Sequence, residues 1–78
     1  MQEFYVQFRS LRDVLDFVTL ASKQPYRLMV GSDRFQVNAT SFMGLFTLNC
    51  RKPQKVTLDC TEEELVQLKI AFERFLAP

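Results

Sequence analysis

The apolar residues of this chain change their spacing from a period of two to helical spacing and back again, which commits it to an α+β fold in which strands and helices share one core. Phe4, Val6 and Phe8 alternate with Tyr5, Gln7 and Arg9, as in a strand with one buried face. Leu11, Val14, Leu15, Val18 and Ala21 then recur at helical spacing behind a Ser10 and Asp13 pair that resembles a capping box. The pattern predicts a helix over Leu11–Lys23, stopped by Pro25, which lacks the N–H a helix needs. The period of two returns at Tyr26, Leu28 and Val30 and again at Phe35 and Val37, with Gly31-Ser32-Asp33 between them as turn chemistry for a hairpin.

Ser41 is suited to cap a helical turn over the apolar residues that follow, and Gly44 disfavours a long helix there. Val56, Leu58 and Cys60 mark a fourth strand. Thr61-Glu62-Glu63-Glu64 is a capping box whose carboxylates complement the dipole of a C-terminal helix with Leu65, Leu68, Phe72, Phe75 and Leu76 on its buried stripe. The order β-α-β-β-α-β-α fits an open-faced sandwich, a four-stranded antiparallel sheet with all helices on one face. The expected core is Phe4, Val6, Phe8, Leu15, Val18, Leu28, Val37, Val56, Leu58, Leu68, Phe72 and Phe75.

A chain of 78 residues has room for a single domain, residues 1–78. Ten basic residues against nine acidic ones leave a net charge of +1, and the basic ones are scattered, so neither nucleic acid nor an anionic membrane is the expected partner. No apolar run approaches the roughly 20 residues of a membrane span. Gln2, Glu3 and Arg9 interrupt the early apolar residues as no signal peptide would, and the expected location is cytoplasmic. Cys50 and Cys60 make neither a disulfide framework nor, without histidine, a zinc site; both are expected to be reduced thiols. No cofactor is implied.

The run Ala39-Thr40-Ser41-Phe42-Met43-Gly44-Leu45 between two strand patterns resembles the regulatory-serine region of the HPr family, the histidine phosphocarriers of the bacterial sugar phosphotransferase system. The element order is similar to that of the family over nearly the whole chain. Alignment through Ala21-Ser22-Lys23 and Ser41-Phe42-Met43-Gly44 sets Phe8-Arg9-Ser10-Leu11-Arg12-Asp13-Val14 over the family's Gly-[apolar]-His-Ala-Arg-Pro-Ala without a gap. Ser10 then takes the place of the phosphorylated histidine, Arg12 matches the arginine that holds the phosphoryl group, and Asp13 replaces the proline. The chain has no histidine at all. In that respect it is similar to the catabolite-repression HPr members, which keep the regulatory serine alone.

The resemblance therefore implies a non-enzymatic member that works by binding. A serine ester does not pass its phosphoryl group onward as a phosphohistidine does, and an unactivated serine is a weak nucleophile without an adjacent base. Asp13 could be that base or simply a capping partner. Ser10 and Arg12 are candidates for binding a phosphate or carboxylate at a helix start, against the plainer role of capping. Ser41 is the candidate for regulatory phosphorylation by a serine kinase, although it would also be chosen as a cap alone. Phe42, Met43 and Phe46 correspond to the family's docking residues for phosphotransferase-system components, the serine kinase or a transcriptional regulator. Of these three, Phe46 is expected to turn into the core and the other two to face a partner. A structural module with an unrelated partner is the third possibility, and the sequence leaves the oligomeric state open.

Overall fold

The computed structural model describes residues 1–49 and 51–78, so the thiol expectation for Cys50 lies outside the described residues. The chain runs β1 (Gln2–Val6), α1 (Leu11–Ser22), β2 (Met29–Gly31), β3 (Gln36–Asn38), α2 (Phe42–Phe46), β4 (Gln54–Leu58) and α3 (Glu62–Ala71), ending in a 3₁₀ turn, Glu73–Phe75. The four strands form one antiparallel sheet in the order β1-β4-β2-β3. Val56 stands at its centre, opposite Phe4 on β1 and Val30 on β2, and all three side chains are buried. This is the α+β open-faced architecture that the periodicity predicts.

One core joins sheet and helices: Phe4, Val6, Val30, Val56 and Leu58 from the strands meet Val14, Phe17 and Ala21 of α1, Leu45 of α2 and Leu68 of α3. At its middle is Phe17, fully buried, with its ring edge-on to those of Phe8, Phe72 and Phe75 at centroid distances of 5.0, 5.4 and 5.6 Å. The stripe of α1 is thus Val14, Phe17 and Ala21 rather than the one expected. Leu11 is exposed and Leu15 half-buried, because the helix is rotated to bring the larger aromatic ring inward. Val18 and Val37 are half-buried at the margin of the core.

Several element boundaries also differ: β2, for one, begins at Met29, after Tyr26 and Leu28. β4 ends at Leu58 and leaves Cys60 outside the strand, since Thr61 is already the cap of α3. Burial pushes the Cys60 thiol up, so it is the protonated, poorly nucleophilic form. The C-terminal helix ends at Ala71, not Leu76; Phe72 and Phe75 still reach the core, but from the cap and the 3₁₀ turn. Tightening the chain there lets it run back along β1. Gln7 N–H donates to the Phe75 carbonyl at 2.8 Å and Ala77 N–H to the Tyr5 carbonyl at 3.0 Å, with Leu76 bridged to Val6. The outer edge of β1 is covered by this return. Phe35, expected on the third strand, lies before it and is exposed.

Candidate functional site

Two short sequence signals place the site. The first is the start of α1, where Ser10 is the N-cap and its Oγ accepts from Asp13 N–H at 3.2 Å. Asp13 answers with Oδ2, which accepts from Arg9 N–H at 2.9 Å, while its Oδ1 pairs with Arg74 Nη2 at 2.6 Å. Arg74 spans on to Asp16 at 2.9 Å and lies 4.7 Å over the Phe75 ring, tying the start of α1 to the 3₁₀ turn. Arg12 Nε pairs with Asp16 Oδ1 at 3.3 Å, one helical turn on, with its side chain exposed. Both oxygens of Asp13 are therefore engaged as cap and ion-pair partners, and it is the Asp13 backbone N–H that meets the Ser10 hydroxyl.

The second signal is α2. Asn38 Oδ1 accepts from Thr40 N–H at 3.0 Å and from Thr40 Oγ1 at 2.8 Å, turning the chain out of β3. Ser41 then caps α2, its Oγ accepting from Gly44 N–H at 3.1 Å. A Cβ at Gly44 would lie 3.0 Å from Ser41 Oγ and from Val37 Cβ, so the glycine relieves crowding where α2 meets β3. Of the three candidate docking residues, Phe42 is half-buried against the core, Met43 is 75% exposed and Phe46 48% exposed. The expectation that Phe46 turns inward is corrected. A five-residue helix directs one side chain fully inward, and that residue is Leu45. The Phe46 ring instead packs on Phe42 at 5.2 Å.

Between these two signals lies an open cleft of about 880 Å³. Its lining includes Arg9, Ser10 and Leu11 at the start of α1, Phe46 of α2, Asn49 and Arg51 before β4, the buried Phe8 and Val14, and Pro78. Arg51 was not among the residues singled out from the sequence; it comes to the cleft because the loop before β4 is held in shape. The buried Gln54 side chain donates to the carbonyls of Asn49 (2.7 Å) and Lys52 (3.2 Å), and Gln7 Nε2 donates to the Arg51 carbonyl at 2.8 Å. A glutamine at the first residue of a strand, facing inward, was the available signal. The structure brings Ser10 and Phe46 to one cleft, puts Met43 and Ser41 on the adjoining helix, and leaves Arg12 outside the lining. Among the described residues no cluster of His, Cys, Asp and Glu could hold a metal, and no helix is long and apolar enough to cross a membrane.

The family model described as "PTS HPr component phosphorylation site" matches residues 10–77. The chain belongs to the HPr family. Its match opens at Ser10, the cap of α1. Among solved structures the HPr-family chain is similar to HPr-C-His from Thermoanaerobacter tengcongensis, with 26% sequence identity, a TM-score of 0.70, and coverage of 92% of this chain and 90% of that one. No curated protein sequence matches it. Membership supports a protein partner in general, since members of the family act on other phosphotransferase-system proteins.

Proposed function

We propose that this HPr-family chain is a docking and regulatory member that does not carry a phosphoryl group. The observation that carries the reading is chemical: the sequence contains no imidazole, and the serine aligned with the family histidine is a helix cap whose neighbouring carboxylate is committed to Arg9 N–H and Arg74. With no base on it, the Ser10 hydroxyl is a poor nucleophile at neutral pH. What the site retains is a contact surface. Met43 and Phe46 stand out from a helix held in place by Leu45, beside a cleft whose lining includes the exposed Leu11. Exposed methionine and aromatic side chains grouped on a rigid element are typical of protein contacts.

The reading is tested by photocrosslinking in the native cell, with a photoreactive amino acid placed at Met43 or, as a control, at Val66, an exposed apolar residue of α3. A discrete adduct from Met43 and none from Val66 is expected. Adducts from Val66 alone, or none from Met43, would place the contact surface elsewhere.

A second reading is favoured by Ser41, whose side chain is partly accessible and sits at the cap of the contact helix. A phosphate added there would put charge close to −2 beside Met43 and at the N–H end of α2, changing the surface a partner meets. Incorporation of acid-stable phosphate by a serine kinase, lost in Ser41→Ala, is the corresponding result. Ser10 is the other acceptor of that kind, and its loss in Ser10→Ala would assign the label there instead.

A further inference from the structure

The connection from β1 to α1 is gripped from the far end of the chain. Gln7 N–H donates to the Phe75 carbonyl at 2.8 Å, and Ala77 N–H donates to the Tyr5 carbonyl at 3.0 Å. Two residues beyond Gln7, Arg9 N–H donates to Asp13 Oδ2, and the other oxygen of that largely buried carboxylate is held by Arg74 Nη2. Neighbouring residues of the 3₁₀ turn thus hold alternate N–H groups of one connection, Phe75 by its backbone and Arg74 through Asp13. The guanidinium meets Asp13 and Asp16 with separate nitrogens, at 2.6 and 2.9 Å, and lies 4.7 Å over the Phe75 ring. Asp13 stands where the family pattern has proline, whose side chain has neither an acceptor for Arg9 N–H nor a charge for Arg74. The grip therefore comes from residues particular to this chain. Past Phe75 no side chain is fully buried, Leu76 and Ala77 being half-buried, so backbone bonds and the Arg74 pairs hold this segment down.

We propose that Arg74 is a salt-sensitive latch: the C-terminal return, residues 74–77, and the connection Gln7–Arg9 open and close as one local unit, and Arg74 sets the balance. Closed, the unit covers the outer edge of β1 and fixes the residue that precedes the cap of α1. Open, it uncovers that edge, whose backbone groups are a template for another strand. The latch is ionic and half exposed, the Arg74 side chain being 52% accessible, so dissolved salt reaches and screens its pairs. The aromatic contacts of Phe17 with Phe8 and Phe72 lie in the buried core and are not screened. Salt therefore acts on the local opening before it acts on the core, as expected of a segment at the low-stability end of a fold. The inference does not depend on what the cleft receives.

The test is amide hydrogen exchange of the intact chain, read by NMR over a series of low urea concentrations at low and high sodium chloride. The amides of Gln7, Arg9 and Ala77 report the local unit, and Val56, at the centre of the sheet, reports global unfolding. In the parent the three should share one opening constant, larger than that of Val56 and nearly independent of urea. Raising the salt should increase it by about threefold or more. Arg74→Gln should increase it by about fivefold or more at all three amides and abolish the salt response. Asp13→Asn, which keeps an acceptor for Arg9 N–H but loses the charge, should do the same at Ala77, although residue 13 touches no part of residues 75–77. Arg12→Gln is the control, since Arg12 pairs with Asp16 alone, and it should change the constant by less than about twofold. Three unrelated opening constants, exchange of Ala77 only through the opening that frees Val56, a salt response that survives Arg74→Gln, or an equal effect of Arg12→Gln would each overturn the proposal. The salt series on the parent decides it without any variant, should one fail to fold.

Discussion

Within one five-residue helix, Leu45 and Met43 should respond oppositely to truncation. Leu45 is fully buried and Met43 is 75% exposed. Leu45→Ala removes the one fully buried side chain of α2, which costs about 2–5 kcal/mol for a buried leucine. A domain of this length has a total stability of only about 4–12 kcal/mol. Each kcal/mol lowers the melting temperature of a domain this size by about 4–8 °C, so the loss should be at least about 8 °C, and the lower end of the range leaves the variant folded at room temperature. Met43→Ser removes little buried surface, and an exposed position of this kind shifts stability by about 0.5 kcal/mol, a change of only a few degrees. Chemical denaturation of both variants, read by far-ultraviolet circular dichroism, measures the two losses on one scale. A loss above about 2 kcal/mol for Met43→Ser, or below about 1 kcal/mol for Leu45→Ala, would refute the orientation of α2 and with it the exposed surface on which the docking reading stands.

Phe17→Ala should cost about 3–5 kcal/mol, because its ring is the common neighbour of Phe8, Phe72 and Phe75; equilibrium urea denaturation measures it, and a loss near 1 kcal/mol would contradict the aromatic centre. Gly31→Ala should destabilise the hairpin and lower the urea midpoint, since Gly31 has φ of 149° and an added Cβ would collide with the Phe35 carbonyl. Glu64 accepts from Thr61 N–H at 2.9 Å and from the Tyr26 hydroxyl at 2.7 Å, and these two bonds, the Thr61 backbone first, hold its carboxyl below the usual carboxylate range. A folded-state pKa below the unfolded value of about 4.3 gives a contribution that is present above that pH and lost as pH falls through the folded pKa. The urea midpoint of the parent should therefore fall more steeply below about pH 4.5 than that of Glu64→Gln, and parallel slopes would contradict the assignment.

The fold was legible because its signals were local. The caps at Ser10, Ser41 and Thr61 all act as caps, and the alternating strands give a sheet with Val56 at its centre. What the pattern missed turned on rotation and on long-range contacts. Helical spacing admits either Leu11, Val14, Leu15, Val18 and Ala21 or Val14, Phe17 and Ala21, and the partners Phe72 and Phe75, far along the chain, choose the second. The return of residues 75–77 along β1 depends on the same contacts and left no local mark beyond the apolar Phe75 and Leu76. On α2, Leu45 and Phe46 are adjacent apolar residues, and local spacing does not tell which is buried; Leu45 is, with Gly44 close against Val37 beside it. The cleft was half legible: Ser10 and Phe46 were singled out from the sequence, whereas Arg51 reaches it through Gln54 and Gln7, contacts no spacing rule encodes.

The central claim, that this HPr-family chain docks without carrying phosphate, is tested most directly by incubating it with enzyme I and radiolabelled phosphoenolpyruvate beside a histidine-bearing family member. The account predicts acid-labile label on the histidine-bearing protein and none on this chain, because it has no imidazole to accept the group. Acid-labile label on this chain at a comparable rate would contradict it.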